Sequence, residues 1–206
     1  MTSPEEIKQL ARMTIQREAA SVEGLLDQID DRLVEVTTRL LKCNGHVLVC
    51  GAGTSNPIAA RLAHLLSCCG TPALFIHPGD SQHGLGGAVT ERDVLIAISK
   101  GGETAEVNFL ASLARKHGAC VIALTQEADS ALGRLSDVVL CCKALPDVDP
   151  YGMIATGSSL TTAALGDALC VVMLRLRNYG EQEFGETHPG GAVGQRLRGS
   201  SQEGKS

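Results

Sequence analysis

Five short apolar runs alternate with helical patterns through the middle of the chain, and this alternation constrains the fold more than any other feature. The runs cover residues 46–50, 73–77, 93–98, 120–125 and 137–142. Apolar runs of this length between helices are typical of parallel strands buried on both faces and joined by right-handed crossovers. The sequence therefore predicts an α/β fold: a three-layer, doubly wound, five-stranded parallel sheet flanked by helices.

The chain divides into three parts, and its 206 residues suit one domain. Residues 1–43 carry apolar positions three and four apart, which predicts one long helix or two consecutive helices packing on the domain. Residues 44–198 hold the alternating pattern, including a last long helix over 158–176. Residues 199–206 are polar, and we expect a disordered tail.

Composition excludes several classes of function. The net charge is −5 and aromatic residues make up 2% of the chain, so neither a basic patch nor a base-stacking surface for nucleic acid is expected. No apolar run reaches the roughly 18 residues of a membrane span, and the acidic N-terminus is unlike a secretory or transit signal.

The eight cysteines form no CxxC pair and no cluster with zinc-ligand spacing, so we expect no metal site. They suit small buried side chains in a reducing compartment, which predicts a cytoplasmic protein.

In an open parallel sheet, ligands bind beyond the carboxyl ends of the strands. The first strand is followed there by Gly53, Thr54 and Ser55, with Asn56 as the expected N-cap and Pro57 as the first helical residue. Glycines that allow close approach and hydroxyls at a helix N-terminus suit an anion. A tight capped turn would use the same residues. The loop lacks the third glycine of a dinucleotide site and the Gly-Lys-Ser/Thr of a Walker A motif.

Two more loops rich in donors are expected at the same edge. The one after the third strand contains Ser99, Lys100, Gly101, Gly102, Glu103 and Thr104. Hydroxyls, free backbone N–H groups and an ammonium can bind a phosphate monoester without a metal. The last long helix starts near Ser158 among several hydroxyl residues, which either cap it or form a third wall of the same pocket.

Histidines in glycine-rich segments are candidates for proton transfer, because imidazole titrates near neutral pH. His83 precedes Gly84, and His188 begins the segment His188-Pro189-Gly190-Gly191.

The order of these motifs resembles the sugar isomerase (SIS) domain, in particular its arabinose-5-phosphate isomerase branch. The resemblance runs from about Val47 to Leu197. It implies a five-stranded parallel sheet, a homo-oligomer (a dimer or tetramer) with active sites near subunit contacts, and no cofactor. Many members carry paired CBS modules after this domain. The motifs that carry the resemblance are Gly70-Thr71-Pro72, Phe75-Ile76-His77-Pro78-Gly79, His83-Gly84, Ile96-Ala97-Ile98-Ser99, Gly102-Glu103, Gly166-Asp167-Ala168-Leu169 and His188-Pro189-Gly190-Gly191-Ala192-Val193-Gly194.

The resemblance also implies roles for particular residues. The family's phosphate-binding hydroxyls match Ser55, Ser99 and Thr104, its loop carboxylate matches Glu103, and its histidines match His83 and His188. Thr54 stands where the family usually has a lysine, Gly101 where it has a second serine, and Asp147 where it has a glutamate. Lys100 replaces an uncharged residue, and we hypothesise that it partly supplies the missing ammonium.

The leading interpretation is an aldose–ketose isomerase that moves a proton through an enediolate, of the arabinose 5-phosphate/ribulose 5-phosphate type. In it His188 and Glu103 handle protons, His83 assists at the sugar oxygens and Asp147 orients or opens the ring. One alternative is a phosphosugar sensor without turnover, and another is an isomerase of a different ketose phosphate. The remaining alternative is a doubly wound domain whose loops only connect strands to helices and bind no ligand.

Overall fold

Five parallel strands form the central sheet, as the sequence predicts. In this computed structural model, residues 2–146, 148–149, 151–192 and 194–196 are described. The strands are β1 (Val47–Gly51), β2 (Ala73–Phe75), β3 (Val94–Ile98), β4 (Cys120–Thr125) and β5 (Val138–Cys141). Their order across the sheet is β2-β1-β3-β4-β5, and every neighbouring pair is parallel. The fold class is therefore confirmed.

Helices cover both faces of this sheet. They are α1 (Pro4–Glu23), α2 (Asp31–Leu41), α3 (Ser55–Cys68), α4 (Pro78–Ser81), α5 (Ala105–Lys116), α6 (Ala131–Leu135), α7 (Thr156–Leu176) and α8 (Glu181–Thr187), with 3₁₀ turns at Leu26–Gln28 and Leu85–Ala88. The α2, α3 and α7 helices pack on one face, and α5 and α6 pack on the other. Consecutive strand residues point to opposite faces. Val47 and Val49 accordingly join the first cluster, while Leu48 and Cys50 join the second.

The N-terminal segment forms two helices separated by the 3₁₀ turn, which is one of the two arrangements that the pattern allows. The second of them, α2, buries Val36 and Leu40 in the core. The first, α1, packs along α7 but leaves large apolar side chains exposed, among them Ile7, Leu10 and Ile15. The predicted tail, 199–206, lies outside the described residues.

The long helix α7 belongs to the core of the domain. Leu165, Leu169 and Met173 are almost fully buried on its inner side. By length and composition alone this helix could cross a membrane, with a mean hydropathy of 1.5. The sequence shows no uninterrupted apolar run there because Asp167 and several hydroxyl residues divide it. Its inner side packs against α3 and the sheet, whereas Val171 and Leu176 are exposed.

Candidate active site

A cleft lies at the carboxyl edge of the sheet, where the crossovers from β1 and β3 leave toward opposite faces. Such a point between adjacent strands is the preferred ligand position in doubly wound sheets. The cleft is narrow, with a free volume of about 20 Å³, and lies on the side of α3 and α7. Its walls come from the ends of β1, β3, β4 and β5 and from the first turns of both helices. Its lining residues are Thr54, Ser55, Ile58, Ile98, Lys100, Leu124, Thr125, Gln126, Cys142, Ala155, Ser158, Ser159 and Thr162.

The loop after β1 brings two predicted hydroxyls, those of Thr54 and Ser55, to the cleft. The helix begins earlier than expected: Thr54 is its N-cap and Ser55 its first residue, so the predicted N-cap at Asn56 is wrong. Pro57 is tolerated at the third helical position because the first four N–H groups of a helix have no intrahelical acceptor. Neither hydroxyl has a hydrogen-bond partner in the described part of the chain, so both are available to a ligand. Gly53 has a φ of 58° and starts this turn.

The loop after β3 contributes Lys100 directly and shapes the cleft through its other residues. The ammonium of Lys100 is exposed and forms no ion pair with any residue that the structure describes. Ser99 is buried, and its Oγ lies 3.0 Å from Thr104 Oγ1, so these two predicted ligand hydroxyls bond to each other. Gly102 has a φ of 68°, and a Cβ there would overlap Ser130 Oγ.

Glu103 supports the neighbouring helix in this structure. Its Oε1 accepts a hydrogen bond from the backbone N–H of Ala131 at 2.9 Å, in the first turn of α6. A carboxylate at this position stabilises the positive end of a helix. The side chain does not line the cleft. The structure therefore gives Glu103 a capping contact and leaves its predicted proton-transfer role as a prediction.

The start of α7 supplies the third wall. Ser159, Thr161 and Thr162 donate hydrogen bonds to carbonyl groups of their own helix, to Ala155, Gly157 and Ser158 respectively. Ser158 is different: it is 9% exposed, lines the cleft and makes no side-chain hydrogen bond within the described ranges. Among these residues it is the one whose hydroxyl remains free for a ligand.

The sequence analysis missed Gln126, which directly follows β4 and lines the cleft. Its side chain is a hydrogen-bond donor and acceptor at the same edge as the predicted loops. Ligands bind beyond the carboxyl ends of parallel strands, and this rule applies to the residue after β4 as it does to the loops after β1 and β3. The glycine and hydroxyl signal used for the other two loops is absent there, so composition alone did not indicate this position.

An outer groove continues the cleft past Lys100, Gln126 and Ser158, with a volume of about 320 Å³. Its far wall is the segment from Ala144 to Ile154, except that Asp147 and Pro150 lie outside the described residues. Asp149 organises this wall by accepting hydrogen bonds from the N–H groups of Tyr151 and Ile154, at 2.9 and 3.0 Å. These backbone donors, Tyr151 first, hold the pKa of the Asp149 carboxyl below its usual value.

His188 lies at the other end of α3. Its ring stacks on Phe184 with centroids 3.8 Å apart, and its Nδ1 lies 3.1 Å from the Phe184 carbonyl oxygen. Its Nε2 lies 3.2 Å from Cys68 Sγ, at the C-terminal end of α3, whereas Ser55 begins that helix at the cleft. Cys68 lies thirteen positions after Ser55 in the helix, a distance of about 20 Å. His188 therefore cannot reach the cleft of its own chain in this arrangement.

His83 is exposed beside α4, on the side of the sheet that carries α5. Like His188, it is not among the residues that line the cleft, which include no imidazole within the described part of the chain. No group of three or more His, Cys, Asp or Glu side chains in that part could hold a metal ion. The geometry thus brings together hydrogen-bond donors from separate loops, while His188, His83 and Glu103 lie outside the cleft lining.

Comparison with known proteins shows similarity along most of the chain. Residues 40–172 match the SIS domain model. Arabinose 5-phosphate isomerase KdsD of Escherichia coli K12 is 37% identical over 173 residues, which are 84% of this chain and 53% of that protein. The chain spans between 53% and 58% of the length of the curated relatives compared with it.

Two solved structures hold sugar phosphates on the same fold. The c3406 protein of Escherichia coli CFT073, in complex with a sugar-phosphate ligand, is 29% identical, with a TM-score of 0.87 over 91% of this chain and all of that one. The Vibrio vulnificus NanR protein complexed with ManNAc-6P is 25% identical, with a TM-score of 0.75 over 86% of this chain and 66% of that one.

Proposed function

The chain belongs to the SIS domain family, and on that premise we propose that it is a phosphosugar aldose–ketose isomerase. We propose the arabinose 5-phosphate/ribulose 5-phosphate pair as its substrates and the cytoplasm as its location. The observation that carries the proposal is the convergence of unpaired donors on one cleft. Thr54, Ser55, Lys100 and Ser158 reach it from three separate segments of the chain.

The cleft suits a phosphate monoester on electrostatic grounds. The first turns of α3 and α7 both border it, and the N-terminus of a helix carries a partial positive charge and free N–H groups. Lys100 adds a full positive charge where the family has an uncharged residue, which supports the hypothesis that it partly replaces the lysine lost at Thr54. Ser99 and Thr104 serve the phosphate if their mutual hydrogen bond opens.

Isomerisation needs a base for the carbon-bound proton and an acid or dipole at the sugar oxygen. Our assignment is His188 and Glu103 for the protons, His83 at the sugar oxygens and Asp147 for orienting or opening the ring. Because His188 lies about 20 Å along α3 from Ser55, it serves the cleft of a second copy. A homo-oligomer, a dimer or a tetramer, is therefore part of the proposal.

The surface supports this assembly. On α1, Ile7, Leu10 and Ile15 are 58%, 53% and 65% exposed, and Val171 and Leu176 on α7 are 61% and 54% exposed. Large apolar side chains grouped on two adjacent helices are typical of a protein interface. A second copy that covers these helices would remove their apolar surface from water.

Proton exchange tests the reaction itself. The protein incubated with ribulose 5-phosphate in deuterated water should introduce deuterium at the carbon next to the carbonyl, because the enediolate is reprotonated from solvent. Mass spectrometry of the recovered sugar phosphate measures the label. Binding of ribulose 5-phosphate without label would contradict the isomerase proposal.

That result would favour a phosphosugar sensor, the second candidate function. Two observations favour it: Thr54 replaces the family lysine, and the NanR protein complexed with ManNAc-6P shares this fold.

Complementation tests the shared site. We expect His188→Gln and Ser55→Asp each to lower turnover at least a hundredfold, since one removes the proton-transfer group and the other puts a negative charge in the phosphate site. In a mixed oligomer, the intact cleft of a His188→Gln subunit can meet the intact His188 of a Ser55→Asp subunit. Activity should therefore return when the two variants are refolded together. If the mixture stays as inactive as its components, His188 does not act across subunits.

A further inference from the structure

Gln126 lies at the junction of the cleft and the outer groove. It is the first residue after β4, and its backbone N–H donates to the carbonyl oxygen of Lys100 at 2.9 Å. This bond holds the ends of β3 and β4 side by side. Gln126, Lys100 and Ser158 line both cavities.

The carboxamide of Gln126 has a donor without an acceptor. Its Nε2 is buried and has no hydrogen-bond partner among the described residues. Burying such a group unpaired destabilises a folded protein, so an orphaned donor needs a reason. Gln126 lines the outer groove, so a rotation of its carboxamide that turns Nε2 toward the groove would let a ligand oxygen satisfy the donor.

We propose that Gln126 is a substrate-binding residue that donates a hydrogen bond from Nε2 to a hydroxyl or carbonyl oxygen of the carbohydrate. The inference rests on the proposed function and extends it, since it assigns the recognition of the sugar to a residue outside the phosphate-binding loops.

The choice of a neutral oxygen follows from the neighbours of Gln126. Lys100 and the two helix N-termini provide for the charge of the phosphate. With the phosphate charge balanced by these groups, the acceptor that remains for the amide of Gln126 is a neutral oxygen of the carbohydrate. A buried donor that is paired only by the correct substrate also rejects analogues that lack the acceptor.

The test uses Gln126→Met, which keeps the length of the side chain and removes both donors. Dissociation constants are measured by calorimetry for inorganic phosphate, ribulose 5-phosphate and arabinose 5-phosphate. We expect affinity for at least one sugar phosphate to fall about tenfold, the effect of one hydrogen bond. Affinity for inorganic phosphate should change less than twofold.

Two controls separate binding from folding. Gln9→Met makes the same chemical change on the exposed surface of α1 and should leave all three affinities unaltered. The unliganded melting temperature of Gln126→Met should stay equal to that of the wild type or rise, because an unpaired buried donor has been removed. Gln126→Leu repeats the test if the methionine variant does not fold.

The outcomes distinguish this proposal from the proposed function. If the wild type binds sugar phosphates tightly and Gln126→Met binds them equally well, the role of Gln126 is overturned while the phosphosugar site stands. An equal loss for inorganic phosphate overturns it too, because Gln126 would then belong to the anion site. If the wild type binds none of the sugars better than inorganic phosphate, both proposals fail. If the wild type binds sugar phosphates but introduces no deuterium, the isomerase proposal is contradicted, while the binding role of Gln126 can still be tested and upheld.

Discussion

The two edges of the central sheet use polar side chains in opposite ways. At the amino edge, the buried carboxylate of Asp93 is fully engaged: Oδ1 accepts from His46 N–H at 2.7 Å, and Oδ2 accepts from Thr90 N–H at 2.7 Å and Thr90 Oγ1 at 2.8 Å. Asp137 Oδ2 likewise accepts from the N–H of Val121 at 2.8 Å. These side chains complete backbone hydrogen bonding where strands begin, so their role is structural.

At the carboxyl edge, comparable groups are left without partners. Ser55, Ser158, Lys100 and the Nε2 of Gln126 lie around one cleft, and none has a side-chain hydrogen bond within the described ranges. The difference indicates which edge the fold stabilises and which edge it leaves open to a ligand. Substitution of Asp93 should therefore change stability without changing binding, and substitution of the unpaired groups at the carboxyl edge should do the reverse.

The largest stability loss is expected from Asp93→Ala. Three donors would lose their acceptor, and we expect unfolding free energy to fall by about 3 kcal/mol, at roughly 1 kcal/mol or more per unpaired buried donor. Urea denaturation measures it. Asp93→Asn keeps one acceptor oxygen, so its loss should be intermediate. Asp27→Asn, on an exposed turn, is the matched control. The affinity of Asp93→Ala for sugar phosphates should stay within twofold of the wild type. A tenfold loss of that affinity would show that the amino edge also takes part in binding.

The same carboxylate predicts a dependence on pH. Burial raises the pKa of Asp93, but the hydrogen bonds from His46 and Thr90 outweigh it and hold the pKa below its usual value. A lowered folded-state pKa means that the stabilisation is complete above the unfolded pKa of about 3.9 and is lost as pH falls through the folded value. The stability difference between the wild type and Asp93→Ala should therefore shrink in acid.

The fold could be predicted because its signals are local. Residues 94–98 and 120–124 are apolar without interruption because both faces of these strands are covered, and this pattern is visible in the sequence. The second strand was predicted over 73–77 but ends at Phe75. Beyond it, Pro78 opens α4 with a residue that has no N–H to donate.

The site was only partly predictable because its partners are distant in sequence. The hydroxyls after β1 and β3 are recognisable by composition, and Thr54, Ser55 and Lys100 do reach the cleft. The bond from Ala131 to Glu103 joins residues 28 positions apart, and the contact between His188 and Cys68 spans 120 positions. No spacing rule within one loop reveals such contacts, which depend on how helices pack.

Gly101 and Gly102 are adjacent in the loop after β3, and we expect one to matter for binding and the other for stability. Gly102→Ala should cost about 1–3 kcal/mol of unfolding free energy, the usual strain of a left-handed non-glycine residue, and more if Ser130 cannot move. The φ of 68° and the overlap of the new Cβ with Ser130 Oγ both oppose it. Chemical denaturation measures this loss, and an unchanged midpoint would show that the turn adapts.

Gly101→Ala is the smaller change and the sharper probe. No atom lies within 4 Å of a Cβ built at Gly101, so its unfolding free energy should change by less than about 0.5 kcal/mol. The family has a serine at this position, so Gly101→Ser would add a hydroxyl to the loop without strain. We expect phosphate affinity measured by calorimetry to rise severalfold for Gly101→Ser and to stay within twofold for Gly101→Ala, at unchanged stability in both. Unchanged affinity in both variants would mean that the anion is held by the α3 and α7 side of the cleft, without the β3 loop.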